Sequence, residues 1–147
     1  LLGSAGIQPE WNGRAGSKGH QAIPLPSVQI VSAAPMISSL IKQLGLDISA
    51  VVEPSPALFV ELGHRSFNVF HIPRAAGSPQ VPAQDEFVEP FGIRSVLGFG
   101  GLLSTGDLFA LILFSRTAID RDVAEMFATV ALNIKVAILP LERRVFA

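Results

Sequence analysis

Cysteine is absent from this chain of 147 residues. The protein therefore has no disulfide framework, no thiolate nucleophile and no cysteine-ligated metal site. Charge of either sign is also scarce: charged residues make up 16%, and 11 basic side chains face 12 acidic ones. A net charge of -1 offers no electrostatic footprint, so neither nucleic acid nor an anionic membrane is expected as a partner.

Long hydrophobic runs are missing as well. The run from Leu108 to Phe114 has the length of a strand and falls well short of the roughly 20 residues that a membrane-spanning helix needs. No basic region followed by an apolar one opens the chain, as a signal peptide would require. Because the chain starts at Leu1 rather than at methionine, we expect a segment of a longer polypeptide that resides in the cytoplasm.

Hydrophobic residues are abundant, at 49%, and the length suits one domain with a substantial core. Residues 1–26 are rich in Gly and Pro and show no periodicity. They predict an irregular N-terminal arm, with Trp11 as an anchor on the body. Residues 27–147 are expected to form a single domain.

A helical pattern follows the arm, between Ser27 and Leu46. Pro35 suits a first helical turn, Ser32 is a candidate cap and Gly45 a candidate stop. Spacings of three and four residues relate the members of its apolar stripe, which are Met36, Ile37, Leu40, Ile41 and Leu44.

Three further segments are less regular. Residues 27–34 fit a turn of helix as well as a strand. A short helix is favoured for Pro56–Leu62. Another is predicted for Ala83–Phe91, because acidic residues at its start suit the helix dipole.

The sequence predicts three strands. Phe67–Ile72 is rich in aromatic and β-branched residues and ends at Pro73, and Ile93–Phe99 precedes a Gly-rich turn. Asp107–Ser115 alternates between two faces that are both apolar. We therefore predict that it is an interior strand, covered on both sides.

A long helix is predicted for Arg121–Leu139. Asp122 and Glu125 have the spacing of a capping box, and Pro140 should end the helix near its last turn. Alternating four- and three-residue steps predict a coiled-coil-like seam, formed by Val123, Phe127, Val130, Ile134 and Ala137. This seam, with the stripe Met36–Leu44 as a second candidate, predicts a homodimer through the terminal helices. The same residues would serve equally to cover the sheet within one protomer.

The block FGIRSVLGFGGLLSTGDLFALILFSRTAIDRDVAEMFATVALNIKVAIL, residues 91–139, resembles the C-terminal half of GAF domains. In such domains a strand meets a glycine turn, a G-x-L-x-G-x-L-x-L type strand follows, and a helix leaves the domain. Ile93–Leu97, Gly106-Asp107, Leu108–Phe114 and 121–139 match these parts in turn. The resemblance covers about a third of the chain. It implies an α+β fold with a central antiparallel sheet, flanking helices and a long exit helix; PAS and profilin-like folds are the structural alternatives.

Departures from the pattern indicate a divergent subfamily, of the kind joined to bacterial histidine kinases and other signalling outputs. Gly98-Phe99-Gly100-Gly101 stands where a proline usually ends the first strand, and Ala110 replaces a mid-strand glycine. Two activities of GAF domains depend on cysteine, which this chain lacks. These are bilin attachment, which mostly uses a cysteine, and the reduction of free methionine sulfoxide, which works through cysteines. The cyclic-nucleotide signature Asn-Lys…Phe…Asp-Glu is missing, since Asp85-Glu86 has no upstream Asn-Lys. The cofactor, if the domain has one, is therefore unknown.

The resemblance also implies a pocket with apolar walls and few polar groups. His71 is either a strand-end histidine bonded to backbone or solvent, or a polar group at the rim that orients a ligand. The phenylalanines fit core packing as well as a cavity wall. The ligand-binding candidates are Phe70, His71, Ser95, Leu97, Phe99, Phe109 and Leu111.

The sequence contains no complete enzyme motif among those considered below. The loop Gly13–His20 lacks the Walker spacing, and Gly98-x-Gly100 lacks the third glycine of a dinucleotide fingerprint. No histidine pairs with a His, Asp or Glu at a metal-binding spacing, and no nucleophile motif is present. We therefore predict that the domain is not catalytic by itself. The resemblance to GAF domains implies a sensor domain of a larger bacterial signalling protein such as a histidine kinase, which senses a small ligand in an apolar pocket and passes the signal through its C-terminal helix. The alternative is a ligand-free structural dimerisation module.

Overall fold

The computed structural model describes residues 3–16, 25–53, 68–103 and 107–141. Its helices and strands are α1 (Val28–Ala33), α2 (Pro35–Gln43), α3 (Ile48–Val52), β1 (Val69–Ile72), β2 (Ser95–Leu102), β3 (Leu108–Ser115) and α4 (Arg121–Ile138). Short 3-10 turns cover Pro9–Trp11, Arg14–Gly16 and Leu139–Leu141, and a π-helical turn covers Gln84–Val88. A small antiparallel sheet with helices and a long C-terminal helix confirms the predicted α+β class. The predicted helix Pro56–Leu62, together with Phe67 and Gly106, lies outside the described residues.

The first helical segment is two helices rather than one. Ser27 caps α1, because its hydroxyl oxygen accepts a bond from the Ile30 N–H at 3.3 Å. Pro35 opens α2, as predicted. The residue before a proline avoids the helical region, and Ala34 is accordingly extended at the break between the helices. The prediction of Ser32 as a cap is therefore wrong, since Ser32 lies inside α1.

Gly45 ends α2, as predicted. Its φ of +77° is the left-handed conformation that favours glycine. The Leu46 N–H donates to the Ile41 carbonyl at 3.1 Å and the Gly45 N–H to the Lys42 carbonyl at 3.0 Å. These two bonds form a Schellman motif, which satisfies carbonyls that the helix end would otherwise leave unpaired.

β2 continues through the glycines where the sequence predicts a turn. It pairs antiparallel with β1 and with β3 in the order β1-β2-β3. A Cβ at Gly98 would stand 3.0 Å from Cδ1 of Phe70, and one at Gly100 only 2.1 Å from the Phe109 carbonyl oxygen. The two glycines therefore permit close approach within the sheet, and neither has a positive φ.

The predicted strand Asp107–Ser115 exists as β3, but its predicted interior position is wrong. In the described part of the chain β3 pairs with β2 alone and lies at the edge of the sheet. Leu111, Leu113 and Phe114 are 36%, 38% and 39% exposed. The alternating pattern determines which residues share a face, but it does not determine how much of each face another element covers.

Strand pairing gives the sheet two apolar faces. On one face, which we call the α2 face, Phe70 and Val96 pack in a core with Leu40 of α2 and with Leu44, the C-cap of that helix. On the other, the α4 face, the buried core combines residues of β1 and β2 with small residues of α4. Its buried members are Val69, Leu97, Phe99, Ala124 and Ala131.

α4 begins at a different cap from the predicted one. Its N-cap is Asp120, whose side chain makes no capping bond. Glu125 instead accepts a hydrogen bond from the Arg121 guanidinium at 2.7 Å, an exposed pair one turn apart. The predicted capping box of Asp122 and Glu125 is therefore wrong, because the helix starts before Asp122. The last α-helical residue precedes a 3-10 turn that contains Pro140, in line with the predicted end.

The N-terminal arm folds on itself and contacts the body through Trp11. The Gly13 N–H donates to the Ser4 carbonyl at 3.1 Å, and the Asn12 side chain bonds Gly6 and Gln8 at 3.0 Å each. The Trp11 ring meets aromatic rings of the segment that follows β1. This contact confirms the prediction that Trp11 anchors the arm.

Candidate functional site

Six of the seven predicted ligand-binding residues share the α4 face of the sheet. Strand register places His71, Leu97 and Leu113 side by side, and it aligns Phe99 with Leu111 and Gly101 with Phe109. Ser95 follows the same alternation along β2. Phe70 belongs to the opposite face, where it is fully buried.

The polar members of this set tie the sheet to the segment that leads into α4. His71 Nε2 lies 2.8 Å from the Ile119 carbonyl oxygen, and the Ser95 hydroxyl donates to the Thr117 carbonyl at 2.7 Å. His71 is 8% exposed and Ser95 fully buried. Each therefore has a backbone partner, which agrees with the backbone-bonded interpretation of His71. We call this pair of bonds the loop anchors.

The outer edge of β1 at His71 is bonded as well. The His71 N–H donates to Oε1 of Gln43 at 2.9 Å, and Nε2 of Gln43 donates to the Ser39 hydroxyl at 3.1 Å. Gln80 donates to the same hydroxyl at 2.9 Å. A side chain of α2 thereby satisfies a strand-edge donor, which keeps β1 and α2 in fixed relation.

The apolar members divide between buried and accessible positions. Leu97 and Phe99 are buried beneath α4, and the rings of Phe99 and Phe127 lie 5.7 Å apart. Phe109 and Leu111 lie on β3, farther from the helix, and are partly exposed. The side chains of α4 therefore occupy the space over β2, whereas the β3 part of this face is accessible.

The predicted dimer-seam residues lie on two different sides of α4. Phe127 and Ile134 pack against the α4 face of the sheet. Val123, Val130 and Ala137 are exposed. The predicted residues thus belong to two sides of the helix. The three exposed residues are seven positions apart, and this spacing places them on one stripe.

Sequence reasoning missed two members of that stripe. Met126 is 71% exposed, and Asn133 is exposed as well. The sequence alone could have identified both residues, because steps of three and four residues relate successive members of the stripe. We call this set the outward seam: Val123, Met126, Val130, Asn133 and Ala137.

A shallow cleft of about 230 Å³ opens between the first helices. Lys42 and Asp47 stand among its lining residues. The Asp47 carboxylate is already bonded to the N–H and hydroxyl of Ser49, where it caps α3. These bonds lower the pKa of Asp47, the Ser49 hydroxyl contributing most. Asp47 thus has a structural role at this cleft.

The described ranges contain no group of three His, Cys, Asp or Glu residues that could hold a metal ion. None of their helices combines the length and the apolar character that crossing a bilayer requires. Comparison with protein-family models, curated proteins and solved structures finds no match for the chain.

Proposed function

We propose that this chain is a non-catalytic regulatory module of a larger signalling protein, which pairs with a second copy through α4 and passes conformational change along that helix. The observation that carries the proposal is the outward seam. Val123, Met126 and Val130 remain 48%, 71% and 38% exposed although α4 already packs its other side on the sheet.

The seam has the form of a heptad repeat. Val123, Val130 and Ala137 take one core position, and Met126 and Asn133 take the other. Valine at the first core position is compatible with two-stranded parallel pairing, and pairing in register would bring Asn133 against its own counterpart. No charged side chain interrupts the seam. Because each residue would meet its own counterpart across a two-fold axis, a second copy is the occupant that fits best.

The loop anchors support the relay part of the proposal. His71 and Ser95 couple the two neighbouring strands β1 and β2 to the residues immediately before α4. A change in the sheet would therefore reach the start of the helix through hydrogen bonds rather than through a flexible connection. The resemblance of residues 91–139 to GAF domains supports a bacterial signalling parent such as a histidine kinase.

Two matched substitutions test the pairing. Val130→Glu places a charge in the seam, and Leu132→Glu places the same charge on the other flank of the helix, where Leu132 is 47% exposed. We expect the wild-type chain and Leu132→Glu to sediment as dimers and Val130→Glu as a monomer with an unchanged circular dichroism spectrum. A wild-type monomer at all concentrations, or equal behaviour of the two variants, would refute the pairing.

A second candidate function, ligand sensing, is favoured by the accessible part of the α4 face. Phe109, Leu111 and Leu113 form an apolar strip on β3 beside the helix, and the last two are more than a third exposed. A small aromatic or apolar molecule would bury this strip and would press on α4 at the same time. A ligand can act in this way only if it prefers one position of the helix.

A thermal-shift screen with nucleotides, purines, haem and small aromatic compounds tests this second candidate. A true ligand should raise the melting temperature of the wild-type chain and of Ala110→Glu, which alters the opposite sheet face. Leu111→Glu should abolish the shift. If no compound raises the melting temperature, or if Leu111→Glu retains the full response, ligand sensing at this strip is excluded.

A further inference from the structure

An aromatic cluster lies beside the α2 face, away from both the outward seam and the β3 strip. The rings of Phe87 and Phe91 are 5.8 Å apart, and Phe87 meets Phe114 of β3 edge-on at 5.1 Å. The arm inserts Trp11 into this group, with ring centroids 4.7 Å from Phe91 and 5.7 Å from Phe87. We propose that the cluster of Phe87, Phe91 and Phe114 is a docking surface for a tryptophan-bearing loop, and that the chain's own arm, residues 3–16, occupies it reversibly as a latch.

The geometry of the ring contacts is specific. Trp11 crosses Phe91 at 72° and Phe87 at 66°, and Phe87 crosses Phe114 at 89°. Edge-to-face packing of this kind gains energy from the ring quadrupoles in addition to the burial of apolar area. The cluster thus selects a planar aromatic side chain over an aliphatic one of similar area.

The side of the cluster that belongs to the body is rigidly built. Phe87 lies in the π-helical turn Gln84–Val88, which is entered through Ala83 in the left-handed conformation, with φ of 58°. The Gln84 amide holds this turn against the preceding loop. Its Nε2 donates to the carbonyls of Ala75, Ser78 and Val81, and its Oε1 accepts from the Gly77 N–H.

The arm is closed by hydrogen bonds of its own. The bond between Gly13 and Ser4 closes a loop around Trp11, and the Asn12 side chain bridges the loop from within. Gly6 lies so close to the indole that a Cβ there would stand 2.6 Å from Cε3 of Trp11. The loop therefore presents its tryptophan as a preformed unit.

Release of the arm would break the ring contacts between Trp11 and the body. The hydrogen bonds just named close within the arm, whereas the ring contacts join it to the body. Because the arm and the cluster belong to one chain, docking is intramolecular and takes place at a high effective concentration of Trp11. Weak contacts then suffice for docking, and the same weakness permits release.

Trp11 reports its own docking, because the chain contains one tryptophan and no tyrosine. In the full chain its emission should be blue-shifted from that of the urea-unfolded chain and protected from acrylamide. Phe91→Ala should shift the emission to the red and restore quenching, with an unchanged far-ultraviolet circular dichroism spectrum. Phe109→Ala, which removes a ring on the opposite sheet face, should leave the emission unchanged.

A urea titration tests the latch itself. The Trp11 emission should lose its blue shift at a lower urea concentration than the circular dichroism signal, and its midpoint should be independent of protein concentration. Coincident transitions would show that the arm is an integral part of the fold and would overturn the proposal. A concentration-dependent midpoint would place the arm of a second copy on the cluster, and an unchanged emission in Phe91→Ala would exclude docking at the cluster.

Discussion

Gly98 and Gly100 lie two residues apart on the same face of β2, yet a side chain at each would meet different neighbours. At Gly98 the nearest atoms belong to the side chains of Phe70 and Leu40, at 3.0 to 3.3 Å. At Gly100 they belong to the backbone of Phe109 and Ala110, which cannot rotate away. The sequence suggested a turn here because glycine permits positive φ as well as close approach, and the residues alone do not distinguish the two uses.

These different surroundings predict how strongly alanine at each glycine destabilises the protein. Gly98→Ala should lower the free energy of unfolding by about 1 to 3 kcal/mol, as overpacking of a core does. Gly100→Ala should cost more, because the strand pair must separate. Gly77→Ala, with open space around it and a φ of +72°, should cost about 1 kcal/mol through backbone strain alone. Urea denaturation measures all three, and a Gly100→Ala variant as stable as Gly77→Ala would contradict the packing at β2.

Asp47 gives a prediction about pH. Bonds from Ser49 lower its pKa in the folded chain, so the ionised form is favoured by folding. A lowered pKa contributes stability that is present above the unfolded value and is lost as the pH falls through the folded one. Asp47→Asn keeps a capping oxygen but cannot titrate, so it should remove this acid-side loss. Melting temperatures from pH 7 down to strongly acidic pH would test this, and parallel curves for the two proteins would contradict it.

At the scale of elements, local signals in the sequence predicted most of what is seen. Pro35 and Gly45 mark the ends of α2, and the alternation in β3 determines which of its residues share a face. These signals arise from interactions within a few residues. The cap of α4, the edge position of β3 and the partners of His71 depend on contacts between distant segments, and a single sequence does not reveal them.

The loop anchors predict a local effect of one hydroxyl. Ser95→Ala removes the bond to the Thr117 carbonyl and should lower stability by about 1 kcal/mol, with a larger effect if the carbonyl stays unpaired. Amides of residues 117–124 should exchange hydrogen faster, because the entry to α4 is released. Ser38→Ala removes a bond to Pro35 within α2 and is the matched control. Equal exchange of residues 117–124 in both variants would refute the anchoring role.

At the scale of the whole molecule, the sequence predicted the ligand-binding residues of the α4 face more accurately than the dimer-seam residues of α4. The α4 face collects six of the predicted ligand residues because strand alternation is periodic. Only the packed structure separates Phe127 and Ile134, which face the sheet, from Val130, which faces outward. Both sides of α4 are apolar, so periodicity alone assigns neither side to the sheet.

The composition of the outward seam predicts how pairing responds to salt. Because the seam carries no charge and the net charge is -1, association should rest on apolar burial. Salt screens charged contacts but does not weaken apolar ones. The dissociation constant measured by sedimentation equilibrium should therefore stay constant or fall between low and high salt. A dimer that dissociates as salt rises would indicate that charged surfaces elsewhere hold the copies together.

The fixed entry of α4 has a mechanical consequence. Eighteen residues of α-helix extend about 27 Å, and the loop anchors lie just before the first of them. In the proposed relay, the helix would slide or tilt over the sheet as a lever whose pivot is near Asp120. A tilt of about 10° at that pivot would move the far end of such a helix sideways by about 5 Å. In the proposed dimer, a sideways movement of that size would change the separation between the far ends of the two paired helices.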